Sequence, residues 1–146
     1  MTLPTHLITG LVIGKITGQY SFAIVGALFV DIDHIFSYVK NGVLINPRKF
    51  WKTITDTNDP YGDQRYILHN FLIFLALIGI FLFFNQRLGL VFGLAYLSHL
   101  VLDALDNADY FPFFPNKKIN LRGPVKYFSR QEFLLMFVLV MTFFLI

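Results

Sequence analysis

The segment YILHNFLIFLALIGIFLFF, residues 66–84, contains no charged side chain and is long enough to cross a lipid bilayer. A transmembrane helix needs about 20 predominantly apolar residues, with a range near 17–25. The whole chain has a matching composition, because 55% of its 146 residues are hydrophobic and 14% are charged, whereas a soluble domain has about 25% charged residues. The segment therefore predicts a membrane-spanning helix, and the composition predicts that others accompany it.

Four further apolar segments surround this one, at 5–18, 20–39, 88–105 and 131–146. Segments 20–39 and 88–105 reach spanning length if their polar ends lie at the membrane interface. The other two are short, so each is tilted, interfacial or shielded by neighbours. No strand pattern of comparable strength is present, and unpaired strand edges are unstable in lipid. We therefore predict an all-α protein with a single domain over 1–146, an integral membrane bundle of about five transmembrane or membrane-embedded helices.

Basic residues are distributed unevenly between the two sides of this predicted bundle. If all five segments span, ten lysines and arginines lie on the side of the two long loops, 40–65 and 106–130, while Lys15 and Arg87 lie on the other. Cytoplasmic loops carry the excess of Lys and Arg. We therefore expect a protein of the cell (inner or plasma) membrane, with its N-terminus and long loops in the cytoplasm and its C-terminus outside. The net charge of +3 is too small and too unevenly placed to indicate nucleic acid, and the pattern identifies no protein partner.

The polar residues of the apolar segments fall at one predicted depth. Each of the four histidines lies inside or at the end of an apolar segment. In the predicted topology they share a level just below the cytoplasmic surface with four aspartates. The residues at that level are His6, Asp31, Asp33, His34, His69, His99, Asp103 and Asp106. Because side chains three or four positions apart share a helix face, Asp31 and His34 form one facing pair. His99 and Asp103 form another. The sequence thus predicts a polar site shared by four helices.

The chemistry of this site favours a metal. Carboxylates crowded together in a low-dielectric setting repel one another, and a divalent cation removes that cost. Histidine and carboxylate ligands without thiolate suit Zn²⁺, Mn²⁺ or Fe²⁺, and the chain has no cysteine. We predict that the site binds a divalent ion, most favourably Zn²⁺. A second ion is possible because the candidate ligands outnumber those that one catalytic zinc needs. The candidate metal ligands are His6, Asp31, Asp33, His34, His69, His99 and Asp103. Taken singly, His6 is explained as well by a hydrogen bond within the bundle, and Asp33 by a helix cap.

Five blocks of the chain resemble the YdjM-like family, inner-membrane proteins described as metal-dependent hydrolases. The blocks are THLITG (5–10), GALFVDIDHIF (26–36), QRYILHN (64–70), YLSHLVLDALD (96–106) and FPFFP (111–115). The resemblance implies that the polar residues of the family correspond to the seven candidate ligands. This chain departs from the family pattern where Val30 replaces the usual proline, where Gln64 replaces a common histidine, and where Leu68 and Asn70 replace the common threonine and serine on either side of His69. Gln64 is a poor metal ligand, so this departure bears on catalysis more than on metal binding.

The resemblance and the site favour a membrane-bound, metal-dependent hydrolase that acts at the cytoplasmic membrane interface on a phosphoester or lipid. A bound metal would activate water, and Asp33 or Asp106 would serve as general base. Arg65 would bind phosphate or anchor the chain at the interface. One alternative is a non-catalytic membrane protein or adaptor that its metal stabilises. Another is an ion or proton transporter, which would need polar groups at several depths; the outer halves of segments 66–84 and 131–146 offer almost none.

Overall fold

The computed structural model describes residues 1–55 and 65–146, and the protein is 69% helical with no β-strand among those residues. The helices are α1 (Leu3–Thr17), α2 (Tyr20–Leu28), α3 (Ile32–Lys40), α4 (Pro47–Thr55), α5 (Phe71–Phe84), α6 (Gln86–Leu105) and α7 (Arg130–Leu145). A short 3-10 turn, Phe29–Asp31, joins α2 to α3. The prediction of an all-α protein is confirmed.

Two helical stretches of the described residues are long and apolar enough to cross a bilayer, not the five that the sequence predicted. They are Tyr20–Lys40, which combines α2, the 3-10 turn and α3, and Gln86–Leu105, which is α6. The largest correction concerns segment 66–84, which was expected to span the membrane by itself. Its helix, α5, begins only at Phe71. The 14 residues of α5 extend about 21 Å at 1.5 Å per residue, against about 30 Å of hydrocarbon.

A carboxylate from α3 stabilises the non-helical path of the chain before α5. Asp33 Oδ2 accepts three backbone hydrogen bonds. The donors are the N–H groups of Tyr66, Leu68 and His69, at 3.1, 2.8 and 3.3 Å. Asn70 then caps α5 by accepting a hydrogen bond from the backbone of its first turn at 2.8 Å. His69, predicted inside the third helix, therefore lies just before it.

Helices α1 and α2 pack closely and run antiparallel. Gly10 lies against Ala27, and Gly14, one turn later, lies against Tyr20 at the start of α2. Gly18 makes the reversal between the two helices, with a φ of 70° that favours glycine. Small residues at such contacts let helix backbones approach each other closely. The approach brings the start of α1 to the level of the 3-10 turn.

Helices α2 and α6 pack in the same way but run parallel. A Cβ at Gly26 would lie 2.6 Å from the backbone oxygen of Phe92 and 3.0 Å from Ala95 Cβ. Further along both helices, Asp31 approaches His99 with 3.7 Å between Oδ1 and Nε2. The 3-10 turn therefore meets the polar end of α6.

The remaining long helices continue an alternation of direction. Asn85 ends α5 and caps α6 with its side chain, so these helices form a tight antiparallel hairpin. Helix α7 runs parallel to α1, because Thr5 Oγ1 donates to Glu132 Oε1 at 3.0 Å and Lys15 Nζ donates to Phe143 O at 2.6 Å. In chain order, α1, the α2–α3 stretch, α5, α6 and α7 therefore alternate in direction.

Candidate metal centre

The side chains predicted for the site converge at one end of the helices. They are His6 on α1, Asp31 in the 3-10 turn, Asp33 and His34 on α3, His69 before α5, His99 and Asp103 on α6, and Asp106 directly after α6. These residues form three groups in which each member offers one ligand atom, and the ligand atoms within a group all lie within 4.8 Å of one another. The groups are His6–Asp31–His99, Asp31–His34–His69 and His69–His99–Asp103. Because the groups share members, six of the predicted ligands form one continuous cluster. Asp33 and Asp106 lie beside it.

Asp103 is the carboxylate on which three of the histidines converge. His69 Nε2 lies 3.1 Å and His99 Nε2 lies 3.5 Å from Asp103 Oδ2. His6 Nε2 lies 3.4 Å from the other oxygen, Oδ1. All four side chains are at most 2% exposed. The helix spacing of His99 and Asp103 predicted one of these contacts, and the packing of α1 and α5 against α6 supplies the others.

Six buried side-chain atoms of the described residues lack a hydrogen-bond partner, and all six belong to predicted metal ligands. They are His6 Nδ1, His6 Nε2, Asp31 Oδ2, His69 Nε2, His99 Nε2 and Asp103 Oδ2. Some lie within ion-pair distance of a charged group but lack hydrogen-bond geometry. Buried polar atoms are nearly always paired, and an unpaired one costs about 1–3 kcal/mol. Imidazole nitrogens and carboxylate oxygens are suitable ligands for a divalent transition metal, so the unpaired atoms of the cluster fit such an ion.

In two of the histidine rings, a hydrogen bond to one nitrogen turns the other nitrogen toward the cluster. His99 Nδ1 lies 2.6 Å from the carbonyl oxygen of Ala27, which can only accept, so Nδ1 carries the proton. His69 Nδ1 is held in the same way by Asp33 Oδ2 at 3.1 Å. Metal-binding histidines commonly have such a partner, which fixes the tautomer and the ring orientation. His6 stacks on His99 with 3.7 Å between ring centroids.

Asp33 lies behind His69 and outside the three ligand groups. Its Oδ2 accepts the three backbone N–H groups described above as well as the His69 ring. Its Oδ1 accepts no hydrogen bond from residues 1–55 or 65–146. One oxygen of Asp33 thus holds both the segment before α5 and the His69 ring.

Two cationic groups lie against the carboxylates of α6. Arg65 is 8% exposed, with Nε 3.1 Å from Asp103 Oδ2 and Nη2 3.1 Å from Asp106 Oδ2. The Met1 amine donates to Asp103 Oδ1 at 2.7 Å and to Asp106 Oδ2 at 2.8 Å. Burial lowers the pKa of that amine, but these two carboxylates raise it more, so it stays protonated. Asp106 Oδ1 accepts from Ala108 N at 3.2 Å, so both oxygens of Asp106 are engaged.

The cluster is most open at Asp31 and His34. Their side chains are 14% and 26% exposed, and His34 Nε2 lies 3.4 Å from Asp31 Oδ1. Exposed apolar side chains surround this edge along α3, among them Ile32, Ile35 and Phe36. A small polar opening therefore lies within an apolar surface.

Several groups at the site were not found from the sequence. The Tyr96 hydroxyl donates to Leu68 O, and the Tyr110 hydroxyl donates to His69 O at 2.8 Å. Burial, joined by the charge of Asp103, raises the pKa of Tyr110, so its hydroxyl remains a donor. These contacts and the Ala27 carbonyl carry no motif, because they depend on tertiary packing. Gln64, whose departure from the family pattern was noted above, lies outside the described residues.

The fold and the site define an all-helical protein with a buried histidine–aspartate centre at one end of its helices. The chain belongs to the YdjM inner membrane protein family, whose family model matches residues 1–146. It is therefore a membrane protein, as the sequence predicted. No curated protein and no solved structure matches the chain.

Proposed function

We propose that this protein is a membrane-bound, metal-dependent hydrolase whose site acts at the cytoplasmic face on a phosphoester or lipid. In this proposal five helical segments are embedded in the membrane, with the N-terminus and long loops in the cytoplasm and the C-terminus outside. The alternating helix directions support this arrangement. The short helices α1, α5 and α7 are then accommodated by tilt or local thinning of the bilayer.

One observation supports metal binding above all: every unpaired buried side-chain atom of the described residues belongs to the predicted ligand set. Charge agrees with it. Four carboxylates, Asp31, Asp33, Asp103 and Asp106, lie in or beside the cluster, and Arg65 pairs with only two of them, which leaves an excess of negative charges. A divalent ion would balance them. Zn²⁺ is favoured, with Mn²⁺ or Fe²⁺ as alternatives.

Six residues would hold the metal. They are His6, Asp31, His34, His69, His99 and Asp103. Asp31, His69 and His99 each belong to two of the three ligand groups, so the cluster would have ligands for one or two ions. Asp33, a predicted ligand, is better suited to holding the His69 ring because Oδ2 is taken by four donors.

When bound, a divalent ion at this centre supplies Lewis-acid catalysis, polarising a phosphoester and making water more acidic. Of the two predicted general bases, we assign the role to Asp33, because its Oδ1 accepts no hydrogen bond from the described residues. Asp106 instead neutralises Arg65 with both of its oxygens engaged. Arg65 in turn pairs with Asp103, so it supports the centre and is not simply a surface anchor.

The open edge favours an amphiphilic substrate. Asp31 and His34 are the partly exposed members of the cluster, and exposed Ile35 and Phe36 lie beside them. A lipid would place its polar headgroup against Asp31 and His34 and its acyl chain against Ile35 and Phe36.

Turnover by the metal-loaded protein tests the proposal. The chain is reconstituted in nanodiscs with Zn²⁺, Mn²⁺ or Fe²⁺ and offered a chromogenic phosphomonoester, a phosphodiester and phospholipids. We expect hydrolysis that Asp33→Asn lowers by about 10²–10⁴-fold, the usual contribution of a general base. Asp109→Asn, the same change at a half-exposed carboxylate, serves as the control and should leave turnover unchanged.

A second candidate is a membrane protein or adaptor that its metal stabilises without catalysis. It is favoured by the burial of His6, His69 and His99, which are at most 1% exposed and come from three separate parts of the chain. A metal-loaded protein that hydrolyses none of these substrates, yet unfolds at a lower temperature once the metal is removed, would establish this function instead.

A further inference from the structure

Helix α4 (Pro47–Thr55) separates basic and apolar side chains onto opposite faces. At 100° per residue, its apolar side chains Pro47, Phe50, Trp51 and Ile54 share one side. Arg48, Lys49 and Lys52 share the other, and the helix contains no acidic residue. Nine residues are too few to cross a bilayer. Short helices of this kind lie in the plane of the membrane interface.

Part of the apolar face of α4, at Trp51, is not covered by the rest of the described chain. Trp51 is 67% exposed, and Ile45, just before the helix, is 88% exposed. Helix α3 contacts α4 through Tyr38, and Phe36 and Val39 of α3 are also more than half exposed. Exposed apolar surface of this kind marks a site of contact with a membrane or with another protein.

Contacts fix α4 close to the metal centre. The Phe50 and Tyr38 rings meet edge-on with centroids 6.3 Å apart, and Tyr38 lies 6.3 Å from the His34 ring. On the other side, the Tyr127 hydroxyl donates to Ile54 O at 2.9 Å. Helix α4 is therefore attached to the bundle, two rings away from the open edge of the centre.

The basic face of α4 indicates the chemical class of the ligand that it would bind. Neither Arg48 nor Lys52 has a carboxylate within ion-pair distance among residues 1–55 and 65–146. Basic residues beside a membrane attract anionic lipid headgroups. We propose that α4 lies in the membrane interface with Trp51 among the upper acyl chains, and that Arg48 and Lys52 bind anionic phospholipid. The binding goes beyond the proposed hydrolysis and needs no metal.

Fluorescence quenching of Trp51, the single tryptophan of the chain, tests this proposal. The protein is placed in nanodiscs of mixed phosphatidylcholine and phosphatidylglycerol, with bromine on the upper acyl chain of only one of the two lipids. Because one surface cation enriches anionic lipid roughly fivefold, we expect brominated phosphatidylglycerol to quench Trp51 more strongly than brominated phosphatidylcholine at equal content. Bromine near the chain ends should quench less.

Matched variants separate specific binding from overall charge. Arg48→Gln with Lys52→Gln should equalise quenching by the two lipids while Trp51 stays at the same depth. Lys117→Gln with Lys118→Gln removes the same charge from another loop and should keep the difference. Equal quenching by the two lipids in the unmodified protein overturns the lipid selectivity. Absence of quenching by either lipid overturns the interfacial position of Trp51. Neither result depends on turnover, so the proposed hydrolase stands or falls separately.

Discussion

At the scale of single residues, Glu132 joins the start of α7 to the start of α1. Its Oε1 accepts from Thr2 N at 2.5 Å and from Thr5 Oγ1 at 3.0 Å, and its Oε2 accepts from Phe128 N at 2.7 Å. Ser129 caps α7, so the stretch 129–132 is a variant of the Ser-x-x-Glu capping box. Glu132 is 2% exposed, so water cannot readily replace its carboxylate as the acceptor for these donors.

Glu132→Gln is expected to destabilise the protein. The amide NH₂ group of glutamine would face a donor, either Phe128 N or the Thr2–Thr5 pair, and would leave it unpaired. The free energy of unfolding should fall by about 1–3 kcal/mol, measured by denaturant unfolding in detergent. Asp109→Asn, on an exposed carboxylate, is the control. Unchanged stability of the Glu132 variant would contradict this role.

Asp33 illustrates what residue patterns predict and what they miss. Its position in an apolar segment predicted membership of a buried polar site, and the structure brings it to the ring of His69. The three backbone donors in 66–69 were not predictable, because they follow Asp33 by more than thirty positions and carry no side-chain signal. The same contacts explain why hydropathy extended the third helix too far toward its start.

At the scale of elements, the contact between α2 and α6 positions the centre. Gly26 allows the backbones to touch at Phe92, and the next residue, Ala27, provides the carbonyl that orients His99. Apolar periodicity predicted the helices themselves. It could not predict which faces meet, because all faces of a membrane helix are apolar.

Gly26→Ala should therefore weaken both stability and metal binding. The new Cβ would lie 2.6 Å from Phe92 O, so the helices must separate, at a cost of about 1–3 kcal/mol. Thermal unfolding and metal content measure the two effects. Gly79→Ala is the matched control, since its Cβ would meet nothing within 4 Å. Equal behaviour of the two variants would show that close α2–α6 contact is unimportant.

At the scale of the whole molecule, the distribution of charge and the directions of the helices agree with the proposed topology. Ten of the twelve basic residues fall on one predicted side, and the contacts give an alternating order of helix directions. The convergence of four histidines at one level was predictable from this alternation alone. The contacts of Arg65 were not, because a basic residue beside an apolar segment has the same sequence pattern whether it is buried or anchors a loop.

The topology predicts which sites a membrane-impermeant thiol reagent reaches. The chain has no cysteine, so single cysteines can be introduced without a background. Lys118→Cys in a long loop should be labelled only after the cytoplasmic side is opened. Gln86→Cys, at the start of α6, should be labelled in intact cells. The reverse pattern, or labelling of both from one side, would refute the orientation.

The metal content of the purified protein tests whether the buried histidine–aspartate cluster holds a divalent metal. The detergent-purified protein, prepared without chelator and with added metal, is compared by mass spectrometry with His99→Ala/Asp103→Ala and with His34→Ala at the exposed edge, where folding is least affected. We predict one or two equivalents of zinc, manganese or iron in the unmodified chain, less in the His34 variant and none in the double variant. No transition metal in any of the three proteins would contradict the account, and the unpaired atoms of the cluster would then require another partner.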